Sequence, residues 1–269
     1  MPIFEAGGRR PDPACALYRA LPGGWEKRLA AAVEEGAVPG RPVFFRADDA
    51  AAPGAAFSAL VELFRRRRAP IAFAVVPAWL TRPRWEALSA LCPAGEGLWS
   101  FHQHGFRHVN HEAAGKKCEF GESRDPAASA RDIAAGRERL AKLTRGRASS
   151  IFTPPWNRMS GPALAALADQ GFAAVSRSLG ARPPAPAGLR DLYVSVDLHT
   201  RKENDPDESL EALLSELSRA LSGGPFCGVM IHHRRMNEAA FVFLDRLLGL
   251  LAAGPGLSPL SMEEAACYP

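Results

Sequence analysis

Cysteine is scarce in this chain, and neither sign of charge dominates. The five cysteines among 269 residues are widely spaced and form no CxxC pair, which argues against a disulfide framework or a cysteine zinc site. The 33 lysines and arginines nearly balance the 29 acidic residues, and the net charge is +4. So small an excess does not predict a nucleic-acid partner.

A long hydrophobic run is also lacking. The longest candidate covers 12 residues, from 69 to 80, and contains Pro70 and Pro77, whereas a membrane-spanning helix needs about 20 apolar residues. The first ten residues lack the charged-then-apolar order of a secretory signal. With Met1 as the natural start, these observations predict a cytoplasmic protein without a membrane partner.

The composition is that of a globular protein, with 47% hydrophobic and 23% charged residues. The one basic run, 65–68, falls where a helix is predicted to end, and cations are favoured at that end of a helix. We therefore interpret the run as a solvated helix end rather than a polyanion site.

From residue 42 onward, short apolar runs alternate with segments of helical periodicity. The predicted strands are 42–47, 71–76, 97–102, 150–153, 172–176, 193–197 and 226–231. The predicted helices are 25–35, 55–66, 83–91, 126–143, 162–170, 207–221 and 238–251. Apolar strands separated by helices indicate a parallel sheet covered on both faces, either a distorted barrel or an open doubly wound sheet. We expect a single domain over 1–269, with 1–40 as an N-terminal extension packed on the barrel.

Polar residues gather where the predicted strands end. In a parallel sheet these ends lie at one rim, and chemistry belongs there. All seven histidines follow a predicted strand. The polar segments are Asp48-Asp49, the stretch 102–108, the stretch 154–158, Asp197-Leu198-His199 and His232-His233.

The adjacent carboxylates of Asp48 and Asp49 repel each other unless a cation or a proton lies between them. A helix N-cap is the simpler alternative, because an alanine-rich segment follows. A cap uses one aspartate and leaves the other unexplained, so we favour a metal or acid–base role.

His104 and His108 have the spacing HxxxH, which on a helical turn directs both rings to one side. Two imidazoles and one carboxylate are a donor set for Zn²⁺ or another divalent transition metal such as Co²⁺, Ni²⁺ or Mn²⁺. We predict metal ligation for this pair and structural hydrogen bonds for His102 and His111. Ferrous iron used for oxygen chemistry is the competing interpretation of the same donors.

One of His232 and His233 is a candidate general acid, because alternation along a strand points only one of them to the barrel axis. A structural histidine at the rim is the alternative. Aromatic side chains also lie near strand ends, as candidates for a wall that stacks on a ligand or for the core. They are Trp79, Trp99 and Trp156.

Taken together, these motifs resemble the polysaccharide deacetylase family, which contains the NodB homology domain and belongs to carbohydrate esterase family 4. The resemblance covers roughly residues 42–250. It rests on the order of five segments, which are 46–50 with the acidic pair, 104–108, 153–158, 196–199 and 230–233. The resemblance implies a distorted (β/α)7 barrel, which agrees with the seven predicted strands.

The resemblance also implies roles for single residues. The implied base is Asp48, the implied metal ligands are Asp49, His104 and His108, and the implied acid is His232 or His233, of which we prefer His232. Such a site would remove an acetyl group from an N- or O-acylated saccharide. Implied supporting or substrate-binding residues are Arg46, Trp156, Asn157, Arg158 and Asp197.

The sequence departs from the family pattern in two motifs. Thr153 stands where the family has an arginine that pairs with the base, and Arg158 and Arg46 are its candidate substitutes. Leu198 stands where a tryptophan is usual, and His199 is a candidate for tuning the acid instead. These departures keep two alternatives open: a non-catalytic saccharide-binding barrel, and a hydrolase of a non-acetyl small amide.

The segment 117–124 resembles an insertion of a divergent branch of the family. Within it, we expect Glu119 and Arg124 to form a structural ion pair rather than a wall of the substrate pocket.

Overall fold

The computed structural model describes residues 14–254, 256–257 and 259–268. Within these ranges it has eight strands and nine α-helices. The strands are β1 (Val43–Ala50), β2 (Ile71–Val75), β3 (Trp99–His104), β4 (Ala148–Thr153), β5 (Ala174–Val175), β6 (Arg190–Asp191), β7 (Val196–Asp197) and β8 (Cys227–Ile231). The helices are α1 (Ala16–Arg19), α2 (Trp25–Gly36), α3 (Ala55–Arg67), α4 (Arg82–Leu91), α5 (Pro126–Thr144), α6 (Gly161–Asp169), α7 (Pro206–Ser222), α8 (Glu238–Ala253) and α9 (Met262–Cys267).

The strands form one parallel sheet in the order β6-β5-β4-β3-β2-β1-β8-β7. The outer strands β6 and β7 are parts of one extended segment, 190–197. Its first part pairs with β5 and its last part with β8. Between them, the backbone N–H of Val194 donates to the Arg177 carbonyl at 2.7 Å. This segment therefore connects the two edges of the sheet and curls it into a distorted barrel.

The sequence predicts one strand at 193–197, whereas the structure places β7 at the end of this range and a further short strand, β6, before it. The cause is the change of partner from β5 to β8 along the segment, which interrupts regular pairing. Over the described residues, the structure thus has eight strands rather than the predicted seven. Of the two predicted architectures, the distorted barrel is confirmed and the open doubly wound sheet is not.

Alternation along β1 determines what the barrel interior contains. Phe44 belongs to an interior cluster with Ile151 and Met230, whereas Phe45 packs in the larger cluster beneath the helices. Because side chains alternate with a period of two, Arg46 and Asp48 follow Phe44 onto the inner face. The strand thus carries two charged groups into the barrel on the same face as its apolar packing.

The end of the barrel opposite Asp48 is closed from the C-terminal part of the chain. Met262 and Ala265 of α9 join the interior cluster beside Phe44 and Phe226, which lie near the beginnings of β1 and β8. This helix begins with a capping box, in which Ser261 and Glu264 exchange hydrogen bonds. No helix is predicted from the sequence pattern at α9.

The described part of the N-terminal extension packs on the outside of the barrel, against α7 and α8. Tyr18 and Trp25 both contact the ring of Phe243 on α8, and the Asn237 side chain donates to the Tyr18 carbonyl at 2.6 Å. Residues 1–13 of the predicted extension lie outside the described residues.

The predicted helices from 25 to 251 are present with ends that shift by two residues at most. Side-chain caps fix several of their starts, at Thr81, Asp125, Ser160, Asp205 and Asn237. In the part of the chain that the structure describes, none of the helices is long and apolar enough to span a membrane.

The basic run lies at the C-terminal end of α3, as the sequence predicts. Arg65 pairs with Glu62 and Glu96, and both Arg66 and Arg67 reach Asp245 on α8. These neighbours account for the run as part of a helix end.

Close packing of β8 yields a stability prediction. A Cβ added at Gly228 would lie 2.4 Å from the Tyr193 carbonyl oxygen and 2.6 Å from Phe44. We expect Gly228→Ala to lower the free energy of unfolding by about 1–3 kcal/mol, because overpacking forces neighbouring groups to move. The matched control is Gly95→Ala, where a Cβ meets nothing within 4 Å. Urea unfolding measures both, and equal stability of the two variants would contradict the prediction.

Candidate active site

A buried arginine–aspartate pair lies at the end of β1. Arg46 is fully buried and holds the Asp48 carboxylate with two hydrogen bonds, from Nε to Oδ1 at 2.8 Å and from Nη2 to Oδ2 at 2.9 Å. The rest of the guanidinium donates to Asn157 Oδ1 at 2.7 Å and to the hydroxyl of Ser176 at 2.8 Å. This two-point contact fixes both the position and the plane of the carboxylate.

The pair also determines the charge of Asp48. Burial raises the pKa of this carboxyl, but the Arg46 guanidinium and nearby histidines outweigh it and hold the pKa below its usual value. Asp48 is therefore a carboxylate at neutral pH and can accept a proton.

Asp49 points toward a pair of imidazoles instead. Its Oδ1 atom lies 3.5 Å from Nε2 of His104 and 3.3 Å from Nε2 of His108. The three ligand atoms all lie within 4.8 Å of one another. Asp49 Oδ1 is buried and has no hydrogen-bond partner among the described residues, so this oxygen fits the role of a cation ligand.

The two imidazoles are oriented for ligation. Nδ1 of His104 donates to the Thr153 carbonyl at 3.0 Å, which leaves the lone pair on Nε2 facing Asp49. Burial lowers the pKa of His108 to about 4, so this ring is neutral at neutral pH, as a metal ligand must be. These three residues therefore fit a divalent transition metal ion.

The spacing of the two histidines predicts a helical turn, and that prediction is wrong. His104 ends β3, and His108 follows a loop in which Gly105 and His108 both have positive φ, of 55° and 57°. The loop brings the rings to a centroid distance of 5.2 Å without a helix. Asp49 is likewise not a helix cap, because the N-cap of α3 is Gly54.

Unfavourable backbone conformations are concentrated at this rim. Among the described residues, the non-glycine positions with positive φ are Asp49, His108, Trp156, Asn157, Arg68 and Arg145. The last two are C-caps of α3 and α5, where a left-handed residue is usual. The other four all line one cleft. Such conformations cost on the order of 1–3 kcal/mol each and persist where the surrounding structure holds them.

That cleft has a volume of about 630 Å³ and contains both aspartates and both metal-site imidazoles. The ring of Trp156 lies 4.5 Å from that of His108, and Trp79 packs on His108 at 5.5 Å. Trp99 stacks on Phe73 of the core instead. Of the three tryptophans, Trp156 lines the cleft.

The two histidines after β8 lie in different environments. His232 lines the cleft, whereas His233 is 5% exposed and its ring lies 5.7 Å from that of Phe57 on α3. Burial lowers the pKa of His233 to about 4, so this histidine is a neutral group of the core.

The remaining candidate residues have mixed positions. The Asp197 carboxylate lies in the cleft wall and accepts the backbone N–H of His199 at 3.0 Å and that of Thr200 at 2.9 Å. His199 is buried, and its Nδ1 accepts the backbone N–H of His232 at 3.1 Å. Asp197 therefore orders the turn, and the contact with residue 232 runs from His199 to the backbone.

Arg158 also lines the cleft, but its guanidinium donates to the Lys117 carbonyl at 3.1 Å. Of the two arginines predicted as partners of the base, Arg46 is the one that contacts Asp48.

Sequence reasoning missed three contributors to the site. Thr153 accepts from His104 through its carbonyl and contacts Nε2 of His102 through its hydroxyl at 2.8 Å. Ser176, directly after β5, supports Arg46 from 130 residues away along the chain, and no pattern in the local sequence predicts this contact. The third is Glu119, whose expected ion pair with Arg124 is absent. Its side chain accepts backbone N–H groups instead, and Arg124 pairs with Asp132.

Similarity to other proteins of known structure supports the fold. No family model and no curated protein matches the sequence. Solved structures do match. A family 4 carbohydrate esterase from Streptomyces lividans, in complex with acetate, aligns with a TM-score of 0.54 and 15% identity over 82% of this chain and 93% of its own.

Two further structures show the range of these matches. A family 4 acetyl xylan esterase from Clostridium thermocellum, in complex with a cobalt ion, has a TM-score of 0.56 and 12% identity over 84% of this chain and 90% of its own. A pseudoenzyme of the same family from Bacillus anthracis has a TM-score of 0.54 and 12% identity over 84% of this chain and 65% of its own. The chain has the polysaccharide deacetylase fold. Identities this low establish the fold, and the activity has to be argued from the site.

Buried histidines around the site predict acid sensitivity. Burial lowers the pKa of His102 and of His199 to about 3 and that of His233 to about 4. In the unfolded chain such groups titrate near pH 6.5. These neutral histidines contribute fully to the free energy of unfolding above that pH. The contribution is lost as the pH falls toward their pKa values in the folded protein, because the unfolded chain then binds more protons.

We therefore expect the free energy of unfolding of chelator-treated protein to fall between about pH 7 and pH 5, by up to ~1.4 kcal/mol per pH unit for each such histidine. Two variants form a matched pair. His102→Gln should make the fall of the free energy of unfolding with pH shallower. His111→Gln, at an exposed position, should change that slope less. Urea unfolding at several pH values measures it. A stability that does not change across this range would contradict the account.

Proposed function

We propose that this chain is a metal-dependent hydrolase that removes an acetyl or other acyl group from an N- or O-acylated saccharide. The observation that carries the proposal is the juxtaposition of two different carboxylates in one cleft. Asp48 is held and kept ionised by Arg46, whereas Asp49 faces two imidazoles and has a buried oxygen without a partner. Solved structures of the same fold include carbohydrate esterases and a deacetylase with substrate, which supports this reaction class.

Asp49, His104 and His108 would hold the metal ion, Zn²⁺ or another divalent ion such as Co²⁺, Ni²⁺ or Mn²⁺. A bound ion of this kind polarises an acyl carbonyl and makes a water molecule more acidic. Structural support for the ligands comes from the Thr153 carbonyl behind His104 and from the packing of Trp79 and Trp156 on His108.

The chain's own groups then account for the proton transfers. Asp48 accepts a proton from the attacking water as the water oxygen bonds to the acyl carbon. His232, on the cleft wall, donates a proton to the leaving amine or alkoxide as the carbon–nitrogen or carbon–oxygen bond breaks. The products are a carboxylic acid and a free amino or hydroxyl group. Arg46 keeps the Asp48 carboxylate in plane and unprotonated between turnovers.

The cleft suits a saccharide. Its volume of about 630 Å³ lies in the range of ligand sites, and it combines the Trp156 ring with polar groups such as Asn157, Arg158 and Ser195. Aromatic faces stack on sugar rings, and the polar groups match hydroxyls. A non-acetyl small amide fits the same reacting groups and is the runner-up substrate.

A second candidate is a non-catalytic saccharide-binding barrel, because the solved structures of this fold include a pseudoenzyme. Such a protein would bind sugar without releasing acid. The complete set of Asp48, Asp49, His104, His108 and His232 around one cleft favours hydrolysis over binding alone.

Acyl release from a panel of substrates tests the proposal. The panel contains N-acetylglucosamine oligomers, O-acetylated xylo-oligosaccharides and small non-acetyl amides. We expect acetate release that a chelator abolishes and Zn²⁺ or Co²⁺ restores. Asp48→Asn should lower kcat by about 10²- to 10⁴-fold, because the proton acceptor is gone, and should leave metal content unchanged. Saccharide binding without acyl release under any of these metals would establish the non-catalytic barrel instead.

The two histidines after β8 provide a paired test of the acid. His232→Asn should lower kcat by at least about 10²-fold with thermal stability near that of the unchanged protein. His233→Asn should lower the free energy of unfolding by about 1–3 kcal/mol, because it leaves an ill-packed polar group in the core, and should keep kcat of the folded fraction within a few-fold. Steady-state kinetics and urea unfolding decide, and the opposite pattern would assign the acid to His233.

A further inference from the structure

The loop that joins the two histidines of the metal site is built around a buried carboxylate. Glu119 is 0% exposed. Its Oε1 accepts the backbone N–H of Arg107 at 2.7 Å and that of His108 at 3.1 Å, and its Oε2 accepts the backbone N–H of Phe106 at 3.2 Å. Consecutive amides of one tight turn therefore converge on a single side chain.

The sequence makes room for this carboxylate at one position. Gly105 has a φ of 55°, and a Cβ there would lie 2.1 Å from Glu119 Oε2 and 2.6 Å from Pro155. Glycine at 105 thus serves two purposes, since it adopts the left-handed turn and lets the carboxylate approach the backbone.

The backbone of Glu119 is itself fixed. On one side, the Cys118 carbonyl accepts from the backbone N–H of His111 at 2.9 Å. On the other, the Phe120 carbonyl accepts from the backbone N–H of Ser160 at 2.8 Å. The Glu119 carbonyl accepts from Arg124 at 3.2 Å. The carboxylate is therefore presented from a rigid segment rather than from a mobile loop.

His108 depends on this contact more than His104 does. His104 lies on β3 and has its own partner at Thr153, whereas His108 lies beyond the loop with a φ of 57°. Left-handed backbone at a non-glycine residue persists only where its surroundings hold it. The Glu119 hydrogen bond to the His108 N–H is such a restraint.

We propose that Glu119 is a positioning residue of the metal site, which sets the affinity for the ion by holding the turn that presents His108. A glutamine at this position keeps size but has one acceptor oxygen. Its amide NH₂ would face a backbone donor, either at Phe106 or at the Arg107–His108 pair, and the turn would lose part of its support. The inference rests on the metal site of the proposed function and not on the hydrolytic reaction.

The test measures metal binding directly. Titration of the chelator-treated protein with Co²⁺ gives a dissociation constant and the visible spectrum of the bound ion. Glu119→Gln should weaken Co²⁺ binding by about 10- to 100-fold, the range found for groups that orient metal ligands, and should change the spectrum. Glu119→Asp retains two acceptors on a shorter arm and should fall between Glu119→Gln and the unchanged protein.

The matched control is Glu112→Gln. Glu112 supports the same segment through the backbone N–H of Ser123 at 3.2 Å and through the Ser123 hydroxyl. Its replacement should leave Co²⁺ affinity and spectrum unchanged. Thermal unfolding of the metal-free variants separates a local effect on the site from a general loss of stability.

Each outcome bears on the proposal. A Co²⁺ dissociation constant for Glu119→Gln within two-fold of the unchanged protein, with the same spectrum, overturns it. Equal weakening by Glu112→Gln also overturns it, because the effect would then belong to the segment as a whole. If Glu119→Gln does not fold, Glu119→Asp decides by the same criteria. An unchanged protein that binds no Co²⁺ defeats the metal site itself, and with it the proposed function.

Discussion

The buried pair of Arg46 and Asp48 is the interaction on which the rest of the site depends. Both side chains lie inside the barrel, where an unpaired charge costs several kcal/mol. The pair is acceptable only because the guanidinium also donates to Ser176, directly after β5, and to Asn157, after β4. These bonds connect β1 with two distant parts of the barrel wall and so give the cleft its shape.

This pair also explains why the adjacent residues Asp48 and Asp49 have different surroundings. Because Asp48 faces inward on the period of β1, Asp49 would face outward if the alternation continued, but its backbone turns there with a φ of 63°. That turn directs its carboxylate to His104 and His108 rather than to Arg46. One carboxylate is thus neutralised by an arginine, whereas the other faces two imidazoles and is the one that we propose binds a cation.

Local patterns predicted much of the fold. The continuous apolar runs at 71–76 and 226–231 become β2 and β8 with ends shifted by one residue, because such runs suit strands that are buried on both faces. The gathering of polar groups at one rim also followed from strand polarity alone. The division of 190–197 between two partners did not, because a change of partner strand leaves no mark in the local sequence.

The candidate site shows the same boundary between local and distant information. Asp49, His104 and His108 come together as their motif indicates, although through a loop rather than a helical turn. The choice of Arg46 over Arg158, and the place of Glu119 beneath the loop, depend on contacts with residues far along the chain or on the path of a loop. Neither can be read from spacing.

The central claim is that Asp49, His104 and His108 form one metal site. The most direct test is a crystal structure of the chain soaked with Zn²⁺, with the ion located by its anomalous scattering. The account predicts one ion bound by Asp49 Oδ1 and by Nε2 of both histidines, at about 2.0–2.2 Å. An ion bound elsewhere, or none at this cleft at saturating Zn²⁺, would contradict it.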